Sequence, residues 1–237
     1  MNQGVYSLSA AMINQLNRVD VISNNLANIN TNGFKEDNLM EGSFNHYLER
    51  LAQKDVTPTK LNTINNTVPK IDGNFIRGDI GSLVETGNPL DFALKTNDTF
   101  FKVQDKNGDV VLTRDGSFKN LGGVLSTFDG KKVLNNNNQP INVADGFETQ
   151  ISVVSTPYAN LSKIGNNNYK IDDTTQVKPI IDNDQFVVLG AVEKSNINAV
   201  TTMVALIDSQ RRLEQAQKAI TGIGELSEKL LTKIDGR

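Results

Sequence analysis

The sequence predicts an α+β protein, with N- and C-terminal helices paired as a coiled-coil-like layer, an extended connector and a central antiparallel all-β domain. Three observations lead there. Apolar residues near both ends recur with a seven-residue period. The middle alternates with period two between Asn-Gly and Asp-Gly pairs, the signature of short hairpins. The stretch between the first helix and that middle carries neither pattern. The expected divisions are 1–34 (N-terminal helix), 35–80 (connector), 81–192 (β-domain) and 193–237 (C-terminal helix).

The first helix is expected from about Val5 to Asn30. Val5, Met12, Val19 and Leu26 repeat every seven residues, as do Leu8, Gln15, Ile22 and Ile29, and together they form one seam broken only by Gln15. Asn32-Gly33 can take positive φ and should end it. The last helix repeats the design: Leu206, Leu213, Ile220 and Ile234 share one register with Ser227, and Ser209, Ala216, Ile223 and Leu230 follow three residues later. Gly222 and Gly224 each cost about 1 kcal/mol relative to Ala, so this helix needs a partner, and the first seam offers one.

Between the helices, 35–80 is polar and irregular, with Pro58, Pro69 and many Asn and Thr. From Gly81, Asn107-Gly108, Asp115-Gly116 and Asp129-Gly130 separate short apolar runs, and further strands are expected at Gln150–Ser155, Asn168–Ile171 and Gln185–Val192, with Phe186–Val192 as one buried strand.

Charge is distributed unevenly. From Met1 to Phe34 the only charged side chains are Arg18 and Asp20, and the face opposite the seam carries Asn14, Asn17, Asn24 and Asn28, with Asn25 at its border. A solvated helix face ordinarily carries Lys and Glu. Amides can bond to neighbouring chains without desolvating an ion, so this helix reads as one surrounded by other subunits; drift in an Asn-rich protein is the alternative. The expected assembly interface is Val5, Leu8, Met12, Val19, Ile22, Asn24, Asn25, Leu26, Asn28 and Ile29, with Leu206, Leu213, Ala216, Ile220, Ile223, Leu230 and Ile234.

Composition points away from several functions. Net charge of −3 over 237 residues gives no footprint for nucleic acid or an anionic membrane, and zero cysteines exclude disulfides and Cys-based metal sites. No apolar run approaches the roughly 20 residues that span a bilayer, and the first residues carry no basic leader, so no cleaved signal is expected. His46 is the only histidine, with no second one for a common zinc site and no G-x-S-x-G elbow. Phosphate-cradling glycine loops are missing, and Asp105–Asp109 lacks the glycine and distal Glu of a calcium loop. No cofactor, no metal and no catalysis are expected.

One string is more specific. Ser23–Lys35, S-N-N-L-A-N-I-N-T-N-G-F-K, resembles the N-terminal signature of the flagellar rod and hook family almost throughout. Thr86–Asp91 with Phe100-Phe101 and Thr113–Phe118 resembles the start of that family's β-domain, and Glu193–Asn198 with Met203-Val204 resembles the lead into its C-terminal helix. The chain departs from the pattern at Thr96-Asn97-Asp98-Thr99, where the family usually has glycines, and it lacks the Arg-Ala-Tyr-Glu string near the end. With its short length, the last point favours a proximal-rod over a distal-rod subunit. The resemblance implies export through the flagellar type III apparatus, helical assembly around a channel with copies of itself and neighbouring rod proteins, and torque carried across the periplasm towards the hook, without membrane insertion. The alternative from the residues alone is a β-domain binding module on a coiled-coil oligomerisation stalk.

Overall fold

The computed structural model describes residues 2–42, 70–165, 167–180 and 185–235. The chain forms two compact units, one from Met1–Leu26, Asp37–Phe75 and Ala199–Arg237, the other from Ala27–Glu36 and Ile76–Asn198.

The first unit holds most of helix α1 (Asn2–Ala27), helix α2 (Ala199–Asp235), and strands β1 (Asp37–Gly42) and β2 (Lys70–Ile76), which pair in a two-stranded sheet. The described ends of the expected connector are thus strands; its centre, with Pro58, Pro69 and His46, lies outside the described residues. α2 runs unbroken through Gly222 and Gly224. Its burial follows the seven-residue pattern: Thr202 and Ser209 are buried, Leu206, Leu213, Ala216, Ile220 and Ile223 half-buried, and most other positions exposed. In α1 the seam residues are likewise half-buried, while Asn17, Asp20, Ser23 and Asn24 lie open.

α1 stops three residues short of Asn30. The Asn28 carbonyl accepts from the Thr31 amide (3.1 Å) and its side chain from the Thr31 hydroxyl (3.2 Å). These local bonds compete with helix continuation. Gly33 then takes φ +67°, with its α-carbon hard against the backbone of Arg114 and Asp115.

The second unit carries β3 (Leu83–Glu85), β4 (Phe92–Leu94), β5 (Thr99–Gln104), β6 (Val110–Thr113), β7 (Lys119–Leu121), β8 (Val124–Ser126), β9 (Lys132–Val133), β10 (Val153–Ser155), β11 (Leu161–Gly165), β12 (Asn168–Ile171), β13 (Lys178–Ile180), β14 (Val187–Leu189) and β15 (Ala191–Glu193). Its main sheet runs β11-β12-β6-β5-β9-β8-β7, with β10 bridging β5 and β13, and its strand pairs are antiparallel. β5 is buried on both faces, because alternate side chains point opposite ways. Phe101 and Val103 join one core with Phe92, Phe118 and Phe147, whereas Phe100 joins a second with Leu112, Tyr158 and Tyr169.

Asn107-Gly108 and Asp129-Gly130 form turns as expected, with Gly108 at φ +91° and Gly130 at φ +80°. Three expectations are corrected. Asp115-Gly116 is not a two-residue hairpin: Asp115 accepts the Ser117 amide and hydroxyl, and Gly116 is where the backbone meets the Phe92 carbonyl. The turn joining β7 to β8 is instead Gly122-Gly123. Gln150 ends a short 3-10 turn, so only Val153–Ser155 of that run is strand. Finally, Phe186–Val192 is not one buried strand: Gly190, at φ +67°, splits it into β14, paired with β4, and β15, paired with β3. At the departure Thr96–Thr99, Asp98 itself takes positive φ (53°), so the turn forms without glycine.

Candidate functional site

Two places combine residue types that geometry makes consequential: the terminal helices and a buried ionic junction in the second unit.

On the helices, the expected interface residues Val5, Leu8, Met12, Val19, Ile22, Leu26 and Ile29 are half-buried, as are Leu206, Leu213, Ala216, Ile220 and Ile223; Leu230 is 49% exposed. The side chain of Ile234 lies outside the described residues. The amides behave differently from one another. Asn24 is exposed and Asn28 half-buried, but Asn25 is 3% exposed. Its amide donates to the Asp37 carbonyl (2.7 Å) and accepts from the Asp37 amide (3.0 Å), so it serves β1 as a strand neighbour would. Asn25→Ala should leave both half-buried Asp37 backbone groups without this partner and cost about 1 kcal/mol. Faster hydrogen exchange at the Asp37 amide is the readout; unchanged exchange contradicts the clip.

The sequence reading missed a second apolar stripe. Val200 (71%), Met203 (50%), Val204 (53%) and Ile207 (49%) are open on the first turns of α2, and Ile13 (58%) and Leu16 (40%) on α1. The signal was present: 200, 204 and 207 have one-face helical spacing.

The junction is built from segments far apart in sequence. Glu193, at the end of β15, is fully buried with Lys35 and Arg114. One carboxylate oxygen accepts from Lys35 Nζ (2.6 Å) and the Gly81 amide (2.9 Å), and the other from Arg114 Nη2 (2.6 Å) and Nε (2.8 Å). Two cations face one anion, and backbone dipoles offset the excess. Lys35 also donates to the Asp79 carbonyl (2.6 Å), and Arg114 to those of Thr96 (2.8 Å) and Thr99 (2.9 Å). Burial, and next the charge of Arg114, hold the Lys35 ammonium below the usual lysine range, against the raising pull of Glu193. Such a cluster specifies an arrangement more than it adds net stability, because desolvation offsets the Coulombic gain.

Around the ions the backbones touch. Gly33 donates to the Glu193 carbonyl (2.7 Å) and Lys194 to that of Ser82 (2.9 Å). Asn196 accepts from the Glu36 amide (2.8 Å) and donates to the Arg77 carbonyl (2.8 Å). A Cβ on Gly81 would overlap the Lys194 carbonyl oxygen. Gly81→Ala should therefore cost about 2–3 kcal/mol by forced backbone displacement. A thermal melt within 1 °C of the parent would contradict this packing.

Among the described residues no cluster of three or more His, Cys, Asp or Glu could hold a metal ion, and no helix is long and apolar enough to cross a membrane. His46 lies outside the described residues.

The profile of the family described as flagella basal body rod protein matches residues 6–35, and that of the flagellar basal body rod FlgEFG protein C-terminal region matches 188–233. The first match ends on Lys35, and the second spans Glu193. Flagellar basal-body rod protein FlgF of Mesorhizobium japonicum is 31% identical over 234 residues, covering 90% of each chain. The chain belongs to the flagellar basal-body rod protein family. Other members include FlgF of Rhizobium meliloti, 31% identical over 225 residues and 87% of each chain, and FlgG of Agrobacterium fabrum, 28% identical over 249 residues, covering 90% of this chain and 92% of its own.

Proposed function

We infer that this rod-family protein is a structural subunit of the bacterial flagellar basal-body rod that polymerises through its terminal helices. The observation that carries this reading is apolar surface left open on both helices of the single chain, at Ile13, Leu16, Val200, Met203, Val204 and Ile207, beside seams that are only half-buried. A monomer gains nothing from such exposure, whereas neighbouring subunits would cover it. The two seams pair with one another as a coiled-coil-like layer, with the expected interface residues on the contact surfaces. Partners are copies of this chain and adjacent rod proteins, with the flagellar export apparatus in transit. The rod encloses the export channel and carries torque towards the hook. FlgF-like members at 31% identity favour a proximal position over a distal one. The protein acts without catalysis.

The test is to purify hook–basal bodies from cells expressing a tagged copy in place of the native one. Stoichiometric tag in the rod fraction supports the reading. Motile cells whose basal bodies lack the tag overturn it.

A further inference from the structure

We propose that the Lys35–Arg114–Glu193 junction is a mechanical clamp loaded in shear, which holds the β-domain against tension arriving through the two terminal helices. The proposal rests on the geometry of the second unit and not on rod membership.

Segments 32–36 and 193–196 lie side by side and run the same way. Near their N-terminal ends the Gly33 amide donates to the Glu193 carbonyl (2.7 Å), and three residues later in both the Glu36 amide donates to Asn196 Oδ1 (2.8 Å). Lys35 Nζ to Glu193 Oε1 (2.6 Å) and Lys194 Nζ to Asn32 Oδ1 (2.9 Å) cross the same pair. A third segment backs both, with the Arg77 amide on the Glu36 carbonyl (2.9 Å), the Gly81 amide on Glu193 (2.9 Å) and the Lys194 amide on the Ser82 carbonyl (2.9 Å). Arg114 ties the carboxylate to the main sheet.

The order of the chain sets the loading. α1 precedes the first segment and α2 follows the second, so a pull through the helices acts on the N-terminal end of one and the C-terminal end of the other. In a parallel pair these are opposite ends. All the cross-bonds then bear the load together, whereas a pull on two adjacent ends breaks them one after another. The side chains of Lys35, Arg114 and Glu193 are fully buried, so water cannot replace a stretched bond at small displacement, and in a low-dielectric site each bond is stronger.

The chain contains no cysteine, so handle sites can be introduced singly. Ala27→Cys with Val200→Cys pulls the segments from opposite ends; Ala27→Cys with Leu189→Cys pulls them from the shared end. All three positions are exposed. In constant-force tweezers we expect the opposite-end pair to survive roughly tenfold longer than the shared-end pair, the ratio set by several hydrogen bonds breaking together. Asn196→Ala, which removes the bond from Glu36 across the pair and those to the Arg77 and Asp79 carbonyls, should shorten the opposite-end lifetime by at least roughly fivefold, the loss of one cross-pair bond, and the shared-end lifetime less. If Asn196→Ala fails to fold, Lys194→Met, which removes only the contact to Asn32, is read the same way. Equal lifetimes in the two geometries, or a substitution that shortens both equally or neither, overturns the clamp. None of these outcomes bears on incorporation into a rod.

Discussion

Arg114→Met should destabilise the β-domain by about 3–5 kcal/mol, the cost of breaking a buried ion cluster from one side. The guanidinium supplies Glu193 with two of its donors and satisfies the carbonyls of Thr96 and Thr99. Methionine fills most of the volume and none of those bonds, so the carboxylate keeps only Lys35 and the Gly81 amide. Urea unfolding followed by circular dichroism reads the loss, since the chain has no tryptophan. A loss below about 1 kcal/mol would mean that the cluster behaves like a surface pair. Combining Lys35→Met, Arg114→Met and Glu193→Leu removes every charge at once. That triple variant should lose no more than Arg114→Met alone, because no uncompensated ion remains.

Ile22→Asp should abolish assembly while sparing the β-domain. Ile22 sits mid-seam on α1, half-buried, between Val19 and Leu26. A carboxylate there must be dehydrated when the seam is covered, at several kcal/mol per unpaired charge, and a helical polymer repeats that cost in every subunit. Ile22 belongs to the first compact unit and the sheet cores to the second. The thermal transition of the β-domain should therefore be nearly unchanged, with soluble protein, no incorporation into rods and non-swimming cells. Lys106→Asp, on the exposed turn between β5 and β6, is the matched control. Normal swimming of Ile22→Asp cells, or collapse of the β-domain with it, would contradict the helices as assembly elements.

The helices, the hairpins and the family were legible because each rests on a local pattern. The seven-residue spacing of Leu206, Leu213 and Ile220 returns as the less exposed face of α2, and Asn107-Gly108 returns as the turn it spells. What sequence could not give is what distance and backbone geometry decide. Lys35, Arg114 and Glu193 each sat in a block that carried the resemblance, yet their ion pairs close across 158 and 79 residues. A charged residue in a polar string reads as solvated until a partner is known. Gly190 looks like any residue in an apolar run, and only its positive φ splits that run between two partner strands. Asn25 reads as one amide among several, and its position over Asp37 turns it inward. Asp115-Gly116 spells a hairpin, but Gly116 is needed for contact with the Phe92 carbonyl instead.

Amide hydrogen exchange, compared between the isolated subunit and purified basal bodies, tests whether the terminal helices are held by assembly. Narrow seams in both helices, and two glycines in α2, leave them little stability of their own, so weak protection is expected across Val5–Ala27 and Leu206–Ile234 in the free protein and strong protection in the rod. Protection across both helices that is already complete in the free subunit, and unchanged in the rod, would contradict it.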